Sequence, residues 1–243
     1  MDAPTAPPSL SSHRLCSTPL LHLPGTRAAR RYVRDATHRT IGRRDYAFAA
    51  DGARIVPDIT TGTFHLSSKS SSPHPADVIL RDNLHGGRCW LIPGTQGQVG
   101  IVAAERLHPT HITVDHVPRG IADDIGWAPR RMRAWGYVEG SQNRELLRKF
   151  QESTHQTVGD GPNVKAHYTT FIHMADFEYD VNATHYIQMF AVDRRFQELD
   201  LDYGIFVFEV LDNWGSASTC IYRVRIHGSS TSNWLMSVYR AFY

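Results

Sequence analysis

Near the end of the chain, Asn213-Trp214-Gly215 is followed closely by Thr219-Cys220-Ile221-Tyr222-Arg223-Val224-Arg225-Ile226-His227-Gly228. A turn, one of three cysteines, an alternating strand and a closing glycine thus crowd into one short block. Tyr222, Val224 and Ile226 alternate with Arg223 and Arg225, as in a strand with one face toward a core and the other toward water. A second cysteine lies far upstream, in Cys89-Trp90. The residues alone leave two readings of these cysteines open. Two of them pair across the chain, or all three stay as free thiols, with Cys16 apart in a Pro- and Ser-rich segment.

The same β texture begins at Asp45. Val99, Ile101 and Ala103 alternate with Gly100 and Val102, and Ile112, Val114 and His116 alternate with Thr113 and Asp115. Residues 205–211 form a short apolar run, expected as a strand buried on both faces. Turn signals fall between: Asp51-Gly52, His85-Gly86-Gly87, Pro93-Gly94 and Asn213-Trp214-Gly215. Many short strands so punctuated predict a β-sandwich. Residues 143–152 read as a short helix with Leu146, Leu147 and Phe150 on one side. A Ser-rich loop at 62–75 and a Gly- and Asn-containing loop at 157–163 read as insertions. Residues 1–44, rich in Pro, Ser and Arg, are expected to be a disordered basic leader, with an organellar transit peptide as the rival reading.

Composition excludes several functions. A net charge of +2 does not argue for nucleic-acid binding, and no apolar run approaches the roughly 18 residues that span a bilayer, so no transmembrane helix is expected in this chain. His108 and His111 are followed by His116, but His111 and His116 fall on opposite faces of a strand, which is poor geometry for one metal. There is no nucleophile elbow and no phosphate-binding glycine loop; Cys89 has no motif of a nucleophile around it, and Asp123-Asp124 reads as a solvated acidic pair. No enzyme is expected. Asn182-Ala183-Thr184 is a glycosylation acceptor pattern.

Read in order, several blocks resemble the SUN domain of nuclear-envelope bridging proteins: Asp45-Tyr46-Ala47, Gly52-Ala53-Arg54-Ile55-Val56, Gly87-Arg88-Cys89-Trp90, Gly94-Thr95-Gln96-Gly97, Thr113-Val114-Asp115-His116-Val117-Pro118, Ala128-Pro129 and the closing block. Trp135-Gly136-Tyr137-Val138-Glu139-Gly140 and the helix after it are more similar to fungal members. The resemblance covers residues 45–228, leaving a tail at 229–243. It implies an all-β sandwich of jelly-roll, galactose-binding-like type with a short helical insertion, assembled as a homotrimer in the perinuclear space. The implied partner is the C-terminal tail of a KASH protein of the outer nuclear membrane, the pair forming the LINC bridge between cytoskeleton and nuclear interior. Strand addition and capture of a terminal carboxylate would supply the binding.

Carried over residue by residue, the resemblance implies a Cys89–Cys220 disulfide and places His116 and Tyr222 at the peptide pocket. A core histidine on the Ile112 and Val114 face stays open as the other reading of His116. A loop of Val78, Arg81, Asn83 and Arg88, with Tyr222, corresponds to one that holds a potassium ion in animal members, although the two arginines are unfavourable there unless they point to water. Trp127 stands where the family has a peptide-contacting serine, and Ser218 where it has a pocket tyrosine. Thr60 replaces the cysteine that can join covalently to the partner, so no intermolecular disulfide is expected. The Ser-rich loop at 62–75 corresponds to an apolar lid. The rivals are a carbohydrate- or lipid-binding sandwich, with Trp90, Trp127 and Trp135 as stacking platforms, and a truncated product without independent function.

Overall fold

The computed structural model describes residues 42–63, 74–84, 87–154, 161–164, 168 and 170–231. Nearly all of the expected leader, the centre of the Ser-rich loop, most of the loop at 157–163 and the end of the tail therefore lie outside the described residues. The described residues form nine strands: β1 (Arg54–Val56), β2 (Trp90–Pro93), β3 (Gly97–Asp115), β4 (Arg131–Tyr137), β5 (Phe171–Glu178), β6 (Ile187–Ala191), β7 (Tyr203–Val210), β8 (Ser218–Ile221) and β9 (Arg223–Ser230). Two helices interrupt them, α1 (Ser141–Thr154) and α2 (Arg194–Gln197). The expected helix at 143–152 is α1; its Leu147 is buried, and Leu146 and Phe150 pack against the core.

The long strand β3 organises the sandwich. Its first half lies between β1 and β7, with β4 and β5 continuing that layer in the order β1-β3-β7-β4-β5. Its second half leaves these partners and pairs with β9 and β6 instead. The pairing slips between Val102 and Leu107 on the β7 side and between Pro109 and His111 on the β9 side. Proline has no N–H for a ladder, so a slip beside Pro109 is where the strand can turn a corner between layers. Val99, Ile101, Leu107, Ile112 and Val114 from β3 meet Phe206, Phe208, Met132, Ile172, Met174 and Ile226 in the apolar core. Strand β7 sits between β3 and β4, and its apolar run is mostly buried on both faces as expected.

The closing strand departs from expectation in two ways. The ladder breaks at Tyr222, so the block forms two strands rather than one. Its arginines also do not face water. Arg223 and Arg225 are as buried as Val224 and Ile226, because Asp45 and Asp115 supply buried counter-charges. Asp45 accepts from Arg223 Nη2 at 2.7 Å and from the Ala47 and Ile226 N–H groups. Asp115 accepts from Arg225 through Nε and Nη2, with Arg223 Nε at 4.0 Å. His227 joins this polar layer through Thr113 Oγ1 at 2.8 Å and the Arg44 carbonyl at 2.7 Å. Thr113 and Asp115, on the face of β3 expected to alternate outward, are therefore fully buried as well. Gly228 closes the strand against β3, where a Cβ would lie 2.1 Å from the His108 carbonyl oxygen, so no side chain fits.

Candidate partner-binding site

Strands β2 and β8 form a separate two-stranded ribbon, pairing Trp90 with Ile221 and Leu91 with Cys220. Cys89, one residue ahead of β2, is joined to Cys220 by a disulfide across 131 residues, with Cα atoms 5.6 Å apart. Alternation along the strand puts Ser218, Cys220 and Tyr222 on one face, away from Ile221, which faces the main core. On that face Cys89, Leu91, Val117, Cys220 and Tyr222 form a second buried apolar cluster, bordered by Leu84, Ala122 and Trp127.

His116 leaves the end of β3 beside this cluster. Its ring meets Tyr222 edge-on at 4.7 Å between centroids and Tyr179 at 5.8 Å. It is 2% exposed, so it is a core histidine and a neighbour of Tyr222 at once. Its Nδ1 lies 2.9 Å from the Val117 carbonyl oxygen. A carbonyl only accepts, so the ring proton sits on Nδ1 and Nε2 of the neutral ring is an acceptor. That Nε2 is buried and meets no hydrogen-bond partner among the described residues. Burial pushes the imidazole pKa down, against the smaller opposing effect of the Val117 bond.

Tyr222 links the site to the loop before Cys89. Its hydroxyl accepts from the Gly87 N–H at 3.3 Å, and burial raises its pKa. Gly87 has φ of 71°, and a Cβ there would lie 3.0 Å from Asp123 Oδ2, so both backbone and space favour glycine. Trp127 is half-buried at the end of a 3₁₀ turn, Ile125–Trp127, that packs against β8. Asp124 starts this turn, accepting from the Gly126 N–H at 2.8 Å and the Ser216 hydroxyl at 2.6 Å. It is thus a cap rather than half of a merely solvated acidic pair. Ser218 is buried at the far end of β8, about 13 Å from Tyr222 by strand rise, and its carbonyl accepts from Asn213 Nδ2. The structure therefore gathers His116, Trp127 and Tyr222 around the disulfide and sets Ser218 at the edge of the group.

The other expected positions are dispersed. Thr60 donates to the Val56 carbonyl and accepts from the Gly100 N–H. Trp90 and Trp135 are buried and offer no stacking platform; of the three tryptophans, Trp127 alone is partly open. His108 and His111 gather no metal site, and no group of three or more His, Cys, Asp or Glu fit to hold a metal occurs among the described residues. In the expected cation loop, the Val78 carbonyl accepts from the Arg81 N–H, and the exposed Arg81 side chain is paired with Asp77. Asn83 is half-buried, and Arg88 keeps a buried Nε without a partner. A potassium ion is held by a cage of oxygen atoms, and residues 85 and 86 of this loop lie outside the described residues. Asn182 is exposed on the turn between β5 and β6. Asp45 and Asp115 belong to two of the quoted blocks, but nothing in those blocks shows that the two carboxylates are buried.

No helix among the described residues is long and apolar enough to cross a membrane. The chain is 26% identical over 197 residues to SUN domain-containing protein 3 of Bos taurus, covering 76% of this chain and 46% of that protein. It is 28% identical over 217 residues to SUN domain-containing protein 2 of Mus musculus, covering 83% of this chain and 24% of that protein. It thus spans about half or less of these relatives' length. Among solved structures, a family 32 carbohydrate-binding module from Streptococcus pneumoniae aligns at 10% identity with a TM-score of 0.48, covering 76% of this chain and all of that one; a likeness so distant bears on neither function nor ligand. The Sad1 / UNC-like C-terminal family matches residues 69–160 and 161–230, more than half of the sequence, and the chain belongs to this family of SUN-domain proteins.

Proposed function

We propose that this chain is a non-enzymatic binding module of the LINC type, gripping the C-terminal tail of a KASH-like protein in the perinuclear space as a homotrimer. The observation that carries this reading is the buried Nε2 of His116, without a partner and packed between Tyr222 and Tyr179 beside the disulfide. A buried polar atom left unpaired costs roughly 1–3 kcal/mol, which a ligand able to pair with it would recover. Membership of the SUN-domain family and the disulfide both support a lumenal setting.

The chemistry at His116 sets a condition on the ligand. Neutral Nε2 accepts, so a terminal carboxylate held there must bring a proton onto the ring, and binding then weakens as pH rises. Trp127 offers an indole to the incoming chain where the family has a serine hydroxyl, while Ser218 keeps its hydroxyl at the edge of the group, so the pocket itself has one hydroxyl fewer. Specificity then rests more on shape than on hydroxyl pairing to the peptide end. With Thr60 in place of a thiol, the complex is held without an intermolecular disulfide. The test is a pulldown with a synthetic KASH tail peptide, free-carboxylate against amidated, at pH 6 and pH 8. Preference for the free acid, stronger at pH 6, is expected. Equal retention of both peptides would refute carboxylate capture.

A further inference from the structure

Among the described residues, the large apolar side chains left exposed are Ile121, Tyr186 and Met189. All three belong to two segments that meet at one residue, Asn182. Ile121 ends the 3₁₀ turn Arg119–Ile121, and Arg119 Nη1 donates to Asn182 Oδ1 at 3.2 Å. Tyr186 lies in the same connection as Asn182, and Met189 lies in β6, which follows it. Strand β6 is also an edge: among the described residues its ladder is with β3 alone. An edge strand with exposed apolar side chains is a template for pairing with another chain unless something covers it. Neither β6 nor its approach carries a proline or a lysine to blunt it.

Asn182, Ala183 and Thr184 are all exposed and read as the acceptor triplet Asn-x-Thr. The turn is held in place. Asp180 accepts from the Asn182 N–H at 2.8 Å, and Gln188 reaches back from β6 to the Asp180 and His185 carbonyls. Arg119 engages the carboxamide oxygen, which is not the atom that would be modified. The disulfide independently suits the oxidising compartment in which such modification occurs.

We propose that Asn182 is N-glycosylated and that the glycan shields the free edge of β6. This rests on the lumenal setting given above. In the reaction Asn182 Nδ2 attacks C1 of the reducing-end sugar of a polyprenyl-diphosphate-linked oligosaccharide. The N–C1 bond forms, the C1–oxygen bond to the diphosphate breaks, the amide loses one proton, and the lipid diphosphate departs with the bonding pair. The attached sugar is bulky and strongly hydrated, and its aliphatic face can lie against Tyr186, two residues after Thr184. A glycan at this position replaces the charges and prolines that other edge strands carry, and keeps a second copy from pairing along β6.

The test is expression of the full chain behind a cleavable signal sequence in eukaryotic cells, with non-reducing peptide mapping of the same sample. Wild-type protein is expected to lose mass on peptide N-glycosidase treatment, with Asn182 converted to aspartate. Asn182→Gln and Thr184→Ala are each expected to abolish that loss. Enzymatically deglycosylated protein and Asn182→Gln are both expected to self-associate more on gel filtration, and Met189→Lys added to Asn182→Gln to reverse it. An unglycosylated Asn182 in protein whose Cys89–Cys220 bond is mapped would overturn the modification and leave the lumenal reading standing. Free thiols with no glycan would overturn both. A glycan whose removal leaves self-association unchanged would overturn the shielding role.

Discussion

Arg225→Met is the sharpest test of the polar layer behind β9. Asp115 is fully buried and is held by Arg225 through two nitrogens, one of them Nε at 2.9 Å. Removing the guanidinium leaves the carboxylate with Arg223, whose Nη2 holds Asp45 at 2.7 Å and whose Nε, without a hydrogen-bond partner, is 4.0 Å from Asp115. Breaking a buried pair by deleting one partner costs about 3–5 kcal/mol, because the survivor stays desolvated. With a urea m-value of about 2 kcal/mol/M, the unfolding midpoint should fall by roughly 1.5–2.5 M at unchanged m. The double variant Asp115→Leu with Arg225→Met removes both charges and substitutes apolar volume. It should lose much less than the sum of its single variants, since neither charge is left alone. The assay is equilibrium urea unfolding at pH 7 with the disulfide intact, followed by fluorescence and circular dichroism. A loss below about 1 kcal/mol for Arg225→Met, or additive losses in the double variant, would refute the pairing.

Two further outcomes follow. Replacing both Cys89 and Cys220 with serine should cost at most about 5 kcal/mol, the chain-entropy value for a closed loop of 131 residues; a midpoint unmoved by reduction would count against the bond. Burial lowers the pKa of both His116 and His227 from the ordinary 6.5, so the unfolded chain takes up more protons than the folded one. Stability is then complete above about pH 6.5 and declines as pH falls below it, at about 1.4 kcal/mol for each unit of depression. Unfolding at pH 7, 6 and 5 should show this slope flattened in His227→Gln relative to wild type; identical slopes would remove His227 from the account.

Short alternating strands, the amphipathic helix at α1 and the turns at Gly52, Gly94 and Gly215 are set by local pattern and backbone freedom, and these appear in place. Of the site, His116, Tyr222 and the two cysteines were visible because each sits in a recognisable block. Trp127 and Ser218 were expected beside them from the same resemblance; that Trp127 borders the cluster while Ser218 stands at the edge depends on how a 3₁₀ turn packs on a strand about ninety residues away in sequence. Asp45 and Asp115 stood in quoted blocks, but their burial left no signal, since a carboxylate looks solvated until its partner is known.

The alternation at Arg223 and Arg225 marks the division most clearly. Sequence alone determined that the alternation from Tyr222 to Ile226 marks a strand and that Val224 and Ile226 face a core, because period-two burial is a local property. Only the tertiary structure decided that the arginine face is buried too. Asp45 is 178 residues from Arg223 and Asp115 is 110 residues from Arg225, and neither separation has a local signature. Charge burial is permitted only when a counter-charge arrives, and long-range packing alone brings it there.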